Sequence, residues 1–288
     1  MSIDFPKVSV VTITYGHEKY ITETLDGVLM QQYDGPVEFI IANDNSPDAT
    51  DEVVKKYFLE NPAPSNFEIK YTKHETNKGM MPNFIWALEQ ATGEYIAPCE
   101  GDDYWIDPLK LQKQVDFLEE NANYIICGYQ AQILIGNVLT DKFKPSLAYQ
   151  HDLISEELIK DSFIVTSTAL FRSKFIQNLP VEFNYVPNGD TFLFRYLGQF
   201  GNYKYMGNLI DANVYRIHHG GVWSMLNDQK KIINAMKTNY YLGRYFQRIG
   251  KTKQAYYNYK LMFKRLVSIL RLRYNSFLTL FFKSESNS

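Results

Sequence analysis

Two cysteines, Cys99 and Cys127, are all that 288 residues carry, and no CxxC spacing joins them. That excludes a disulfide scaffold and a thiolate metal cluster, and free thiols in a reducing cytosol fit best. No GxGxxG and no GxxxxGK[ST] occurs, so the usual dinucleotide and P-loop phosphate cradles are missing. No GxSxG is present, which removes the nucleophile elbow of the α/β-hydrolases. No apolar run reaches the roughly 20 residues that a membrane-spanning helix needs. The longest candidate, "LVSILRLRYNSFLTLFF", is broken by Arg271 and Arg273. The start, "MSIDFPK", has neither a basic beginning nor an apolar core and does not read as a signal peptide. A cytoplasmic protein is the expectation.

Surplus charge is also scarce: the net value is −2, which argues against a general nucleic-acid binder. The average hides an asymmetry. From Lys230 to Ser288 thirteen Lys or Arg stand against one acid, Glu285, so the rest of the chain carries −14. An acidic body with a basic tail suggests a divalent cation at one end and an anionic surface at the other.

The first 120 residues alternate strand and helix signals. "KVSVVTIT", "VEFIIA" and "EYIAPC" read as buried strands and "FEIKYT" as a further strand. Between them, Ile21, Leu25, Val28 and Leu29 share a helical face, as do Phe84, Leu88 and Ala91. "SPDATDEVVKKYF" reads as a helix start with Ser46 as cap and Pro47 in the first turn. Pro108 opens a further helix with Leu111, Val115 and Leu118 inward. This alternation implies an α/β fold with a mostly parallel sheet and helices on both faces. From Tyr124 to Tyr215 the pattern is mixed. "YIICGYQAQILIG" and "YKYMGNLIDANVYRIH" read as strands, and "GDTFLFRYLGQFG" as a helix. Beyond Gly221 two helices flank the turn "RIGKTK". No repeat or low-complexity segment interrupts the chain.

In an open α/β sheet ligands bind beyond the carboxyl ends of the strands. There the fourth strand runs into "CEGDDYWIDPLKL", with Glu100, Asp102 and Asp103 crowded into four positions. Like carboxylates this close raise each other's pKa, and a hard divalent cation such as Mg2+ or Mn2+ removes the conflict. The plain alternative is a solvated turn with an Asp capping a helix. Asp44, just after the second strand, can accept hydrogen bonds from a base or ribose, or simply close an Asx-turn. Gly16, after the first strand, allows close backbone approach. Trp105 is either a pocket wall or core packing, and "STALFR" flanks a pocket or forms a core strand. His17 and His74 read as surface residues. His218 and His219 are adjacent, so in a strand only one can face a site.

Four ordered stretches, "VSVVTITYGHEKYITETL", "ANDNSPDAT", "NKGMMPNFIWAL" and "GEYIAPCEGDDYWIDPLKL", resemble glycosyltransferase family 2, which has the GT-A fold. The likeness is dense from Val8 to Leu118 and thinner through "GDTFLF" and "VYRIHHGGVW". It implies inverting transfer of a sugar, hexosyl or N-acetylhexosaminyl, from a nucleotide-diphosphate donor, usually UDP-linked. The acceptor would be a hydroxyl of a glycan or lipid-linked oligosaccharide. By that resemblance Thr14 and Tyr15 line the nucleotide pocket and Asp44 contacts the base, while Asn77 and Gly79 belong to a loop over the nucleotide. Glu100, Gly101 and Asp102 occupy the place of the DxD motif. Asp102 is the principal ligand of Mn2+ or Mg2+, with Asp103 as its stand-in. Asp190 in "NGDTF" matches the catalytic base. Arg216 and His218 match a motif near the diphosphate, His218 as a diphosphate or metal contact.

Four positions depart from the family pattern: Gly16 for a frequent Asn, Asn43 and Glu100 for common Asp residues, and Gly189 for a frequent Glu. None removes the metal Asp or the base. A sugar nucleotidyltransferase would need a glycine-rich loop in place of "TYGHEKY". A non-catalytic glycan- or nucleotide-binding scaffold would be expected to lack Asp102 or Asp190. The resulting layout is a catalytic domain over residues 1–223 (nucleotide-sugar half to about 120, acceptor half beyond it) and a basic, aromatic helical extension over 224–288. That extension packs back onto the body, lies on an anionic membrane as a peripheral anchor, or makes a dimer.

Overall fold

A computed structural model describes residues 5–221 and 223–285, with side chains through Arg271. The chain forms two compact units, one of Met1–Leu179 and Phe194–Gly220, the other of Pro180–Leu193 and Gly221–Ser288.

The first unit opens with β1 (Val8–Thr14), α1 (Ile21–Leu29), β2 (Val37–Asn43), α2 (Thr50–Glu60), β3 (Phe67–Lys73), α3 (Met80–Glu89), β4 (Tyr95–Pro98) and α4 (Lys110–Glu120). These are the expected strands and helices. β1 and β2 are buried almost throughout because helices cover both faces, and their side chains accordingly do not alternate. β1 pairs in parallel with β2 and β4, and β2 with β3, so Thr14 lies beside Asn43 at one edge of the sheet. Ile21, Leu25, Leu111, Val115 and Leu118 pack with Val10, Phe39 and Ala97 into one core. Truncating such a buried Leu or Ile to Ala costs roughly 2–5 kcal/mol.

At the opposite strand ends Glu38 is buried and takes ion pairs from Lys7 and Lys70. Burial raises its carboxyl, but hydrogen bonds from Lys70, Ser9 and Thr92 outweigh that and hold it down at about 2.

α2 starts later than the sequence suggests. Ser46 is not its cap: it accepts from the Gly16 amide, and the Asp48 carboxylate takes the Thr50 amide instead. Gly16 has φ +73, and a Cβ there would meet nothing within 4 Å, so the turn conformation, not close approach, requires the glycine.

The middle of the chain corrects two strand readings. "YIICGYQAQILIG" is split into β5 (Tyr124–Gly128) and β6 (Ala131–Ile135), followed by β7 (Val138–Lys144). A short α5 (Ser155–Lys160), β8 (Leu170–Arg172) and α6 (Gly189–Leu197) come next. "YKYMGNLIDANVYRIH" is split into β9 (Asn202–Tyr205) and β10 (Asn213–Ile217). Each pair parts where the chain leaves one sheet for another. The large sheet runs β3-β2-β1-β4-β8-β5-β9 and the small one β10-β6-β7. β8 is antiparallel to both its neighbours. "STALFR" is therefore core, with Ser167 to Phe171 buried.

In the second unit α7 (Asp228–Arg248) and α8 (Thr252–Glu285) form a hairpin turning at Gly250. Arg248 clamps Glu182 with two hydrogen bonds of 2.9 and 2.7 Å, and Phe192 lies between Phe183 and Tyr245.

Candidate active site

The parallel pairing of β1, β2 and β4 brings three loops to one sheet edge: residues 15–20, 44–49 and 99–107. Hydrogen bonds tie the first two together. The Gly16, His17 and Glu18 amides donate to Ser46, Thr50 and Asp48 respectively. The third approaches the first closely. A Cβ on Gly101 would lie 2.8 Å from the Thr14 side chain and 3.0 Å from His17 Nδ1, so only glycine fits between Glu100 and Asp102.

A fourth segment arrives from far along the chain. Tyr104 and Val214 form an antiparallel bridge, each amide donating to the other's carbonyl. That bridge carries Arg216 and His218, at the end of β10, back to Asp102 and Asp103. His218 Nε2 donates to Asp102 Oδ2 at 2.9 Å, and the Gly220 amide donates to His218 Nδ1.

The two neighbouring aspartates have different surroundings. Asp103 is buried, with Ser167 Oγ donating to one oxygen and the Arg216 amide to the other. Burial drives its carboxyl well above the usual range, and the charges of Asp102 and Glu100 push the same way. Asp102 feels burial too, but the His218 hydrogen bond holds its carboxyl below the usual range, and the His17 and His218 rings push the same way when protonated. Two adjacent carboxyls are thus driven apart, Asp102 toward the anion and Asp103 toward the neutral acid.

Among the described residues, ligand atoms of His17, Asp102 and His218 form one group that could hold a metal ion, all within 4.8 Å of one another. Asp103 is not in it, because its oxygens face Ser167 and the Arg216 amide. His17 is, although the sequence reads it as a surface residue. Burial lowers the pKa of its ring, which favours the neutral, ligating imidazole. His74 is also buried, bonded to Asn83 at 2.9 Å. The donor chemistry fits a divalent cation: one carboxylate and imidazole nitrogens, close together and half-buried.

Thr14 ends β1, Asp44 directly follows β2, and Asn77 and Gly79 follow β3. Asp44 is buried and accepts from the Lys78 and Gly79 amides at 2.7 and 2.9 Å, so it joins the second strand end to the "NKG" loop. Asn77 Oδ1 shares the Gly79 amide, whose φ of +89 suits glycine. Thr14 is buried at the end of β1, Tyr15 is exposed, and Glu100 is half-buried just after β4. The Arg216 guanidinium donates to Glu23 and to the Asp102 carbonyl and stacks on Tyr20 and Tyr104. Asp190 lies in the first turn of α6, in the second unit, where its Oδ1 accepts the Thr191 amide. Trp105 is core: it is buried, donates to the Ser167 carbonyl, and has Lys110 Nζ 3.9 Å over its ring.

Three comparisons bear on this arrangement. The profile of "Glycosyl transferase family 2" matches residues 9–179, more than half of the chain. An uncharacterized protein of Mycobacterium tuberculosis is 34% identical over 226 residues, covering 78% of this chain and 63% of that protein. The chain therefore spans less than two thirds of that relative's length. The poly(ribitol-phosphate) beta-N-acetylglucosaminyltransferase TarS of Staphylococcus aureus is 27% identical over 180 residues, 62% of this chain and 29% of TarS. A crystal structure of TarS 1-349 with UDP-GlcNAc superposes with TM-score 0.57 at 20% identity, covering 84% of this chain and 73% of that one. The mannosyltransferase PcManGT of Pyrobaculum calidifontis, in complex with GDP-Man and Mn2+, gives 0.59 at 16% identity over 96% and 81%. The structural likenesses are of fold, and the fold is GT-A.

Proposed function

Since the chain belongs to glycosyl transferase family 2, we propose that it transfers a sugar from a nucleotide-diphosphate donor, a UDP-sugar, to a hydroxyl of a glycan or lipid-linked acceptor, with inversion. The observation that carries this reading is the meeting of Asp102, His218 and the Asp44–Gly79 loop at the carboxyl edge of one parallel sheet. TarS was solved with UDP-GlcNAc and PcManGT with GDP-Man and Mn2+, and their likeness of fold supports a nucleotide-sugar as the donor.

In this reading Asp44 orders the loop carrying Asn77 and Gly79, which closes over the nucleotide. Thr14 and Tyr15 line its pocket, and Glu100 reaches the ribose. Asp102 and His218 would hold Mn2+ or Mg2+, and a bound ion would supply positive charge to the donor's diphosphate. Asp103 is a positioning residue: its buried carboxyl fixes Ser167 and the Arg216 backbone, and so the segment carrying His218. Arg216 braces that segment against Glu23. Asp190 takes the proton of the acceptor hydroxyl as it attacks the anomeric carbon, help that is worth roughly 10²–10⁴-fold.

The described helices include none long and apolar enough to cross a membrane. On α8, Tyr256, Phe263 and Leu270 are 70, 61 and 58% exposed, at seven-residue steps along one face. Lys253, Lys260, Lys264 and Arg271 border them, and no acid occurs between Asp228 and Glu285. An apolar stripe with a basic border suits an anionic bilayer surface. Two copies of a face so uniformly positive would repel, which disfavours a dimer through it.

The test of the donor site is thermal stability with UDP, GDP and ADP, each with and without Mn2+, for wild type and Asp102→Asn. The expected result is a metal-dependent rise with UDP that the variant loses, because a ligand that binds only the folded form stabilises it. No rise with any nucleotide at saturation would sink the reading.

A further inference from the structure

We propose that His17 is a third protein ligand of the same cation, so that the chain binds a d-block divalent ion before any nucleotide arrives. This rests on the donor-site reading above and extends it to the identity of the metal and the order of binding.

Three observations carry the inference. First, ligand atoms of His17, Asp102 and His218 lie within 4.8 Å of one another. With metal–ligand bonds of about 2.1 Å, neighbouring ligands sit about 3 Å apart and opposite ones about 4.2 Å. Closing the group therefore takes side-chain rotation, not backbone movement. Second, His17 is held in place. Its amide donates to Thr50, its flanking amides donate to Ser46 and Asp48, and Thr14 Oγ1 lies 3.2 Å from Nδ1. Such an outer partner on one ring nitrogen fixes the ring and leaves the other nitrogen to a metal. Third, the glycine between Glu100 and Asp102 admits this ring: any side chain at Gly101 would collide with Thr14 and His17.

The chemistry follows from the donor set. Mg2+ prefers oxygen ligands in a strict octahedron and dehydrates reluctantly. Imidazole nitrogens shift preference toward transition metals, and two imidazoles with one carboxylate suit Mn2+, Co2+ and Zn2+ better than Mg2+. One carboxylate and one imidazole would lean on the donor's diphosphate for most of the remaining ligands. Three protein ligands do not.

The experiment titrates Mn2+ into the full chain without nucleotide and follows the electron paramagnetic resonance signal of the free ion. Expected is saturable uptake at one site, displaced by Co2+ and not by equimolar Mg2+, weakened at least about tenfold in His17→Ala. His17→Asp, which returns an oxygen ligand, should restore Mn2+ uptake and admit Mg2+. Metal-free thermal melts of both variants check that the fold survives. The proposal is overturned if His17→Ala binds Mn2+ as wild type does, or if uptake requires UDP. In either of those cases, Mn2+ and UDP binding together and being lost in Asp102→Asn would leave the donor-site reading standing. Binding of neither ligand in any combination would overturn both.

Discussion

Asp102 Oδ2 and His218 Nε2 stand 2.9 Å apart across 116 positions of sequence. The contact is made by the Tyr104–Val214 bridge, which lays the end of β10 against the loop after β4. If both side chains hold one ion, their removal is not additive. Asp102→Asn and His218→Ala should each weaken Mn2+·UDP binding, and the double variant should be little worse than the more severe single one. Residues sharing a network typically show coupling of about 0.5–3 kcal/mol. Isothermal titration of the four proteins measures it. Strict additivity would mean that the two residues act on different ligands.

The adjacent aspartate should behave differently. Asp103 accepts Ser167 Oγ and the Arg216 amide in a buried setting. Asp103→Ala orphans both donors, at roughly 1–3 kcal/mol for each group left unsatisfied. Asp103→Asn keeps the shape and an acceptor and should recover most of that loss. Urea denaturation gives the stabilities, and metal titration of the Asn variant should stay near wild type. A loss of metal binding in Asp103→Asn as deep as in Asp102→Asn would make Asp103 a ligand after all.

This division of labour marks the limit of what the sequence makes legible. The four strands of the parallel half and their intervening helices follow from periodicity: β1, β2 and β4 are buried and leave a dense apolar signature, while β3, part-exposed at the end of the sheet, alternates apolar and polar residues. The separate roles of Asp102 and Asp103 do not follow, since they depend on Ser167 and Arg216, 64 and 113 positions away. His17 was within reach. It lies three residues past the end of β1, and β1 neighbours β4, so the loops "TYGHEKY" and "CEGDD" must adjoin. A lone loop histidine carries no periodic signal, and only that topology reveals it. The strand splits at 128–131 and 205–213 were beyond periodicity, because a change of sheet leaves the alternation of side chains intact.

Lys110 offers a test of the core beneath the site. Its ammonium is fully buried, with the Trp105 ring 3.9 Å away. Burial lowers its pKa from 10.5 to about 7, opposed by the nearby Cys127 and Cys99. The sign follows from proton uptake: between those values the unfolded chain holds a proton that the folded one refuses. Lys110 therefore costs nothing above pH 10.5, and its penalty grows as pH falls toward 7 and then levels. Lys110→Met should stabilise the protein at pH 7 by about 2–4 kcal/mol, less the lost cation–π contact, with the gain shrinking toward pH 10. Urea midpoints of both proteins from pH 6 to 9.5 measure the difference. A pH-independent difference would show that Lys110 stays charged in the fold.

Asp190 should separate chemistry from donor binding. Asp190→Asn preserves the side-chain oxygen that accepts the Thr191 amide at 2.6 Å, so the start of α6 should hold. Transfer should fall by roughly 10²–10⁴-fold, with Mn2+ and UDP affinities unchanged. Nucleoside-diphosphate release in the presence of a glycan acceptor pool gives the rate, and titration calorimetry gives the affinities. Equal losses in both would assign Asp190 to donor binding and not to proton removal.

The exposed stripe of α8 makes a prediction independent of the donor site. Phe263 and Leu270 gain burial by entering the acyl boundary of a bilayer, while Lys260, Lys264 and Arg271 meet anionic headgroups. Each well-placed cation adds about 1 kcal/mol on an anionic surface. The full chain should therefore float with vesicles containing phosphatidylglycerol and stay behind with pure phosphatidylcholine. Reversing the three cations to Glu should abolish flotation on the anionic vesicles, and Phe263→Ser with Leu270→Ser should weaken it at any salt concentration. Electrostatic attraction alone would fade as salt shortens the screening length, from about 10 Å at 0.1 M to 3 Å at 1 M. Flotation that survives both sets of substitutions would place the membrane contact elsewhere on the chain. No flotation of the wild type would leave the stripe to a protein partner of opposite charge.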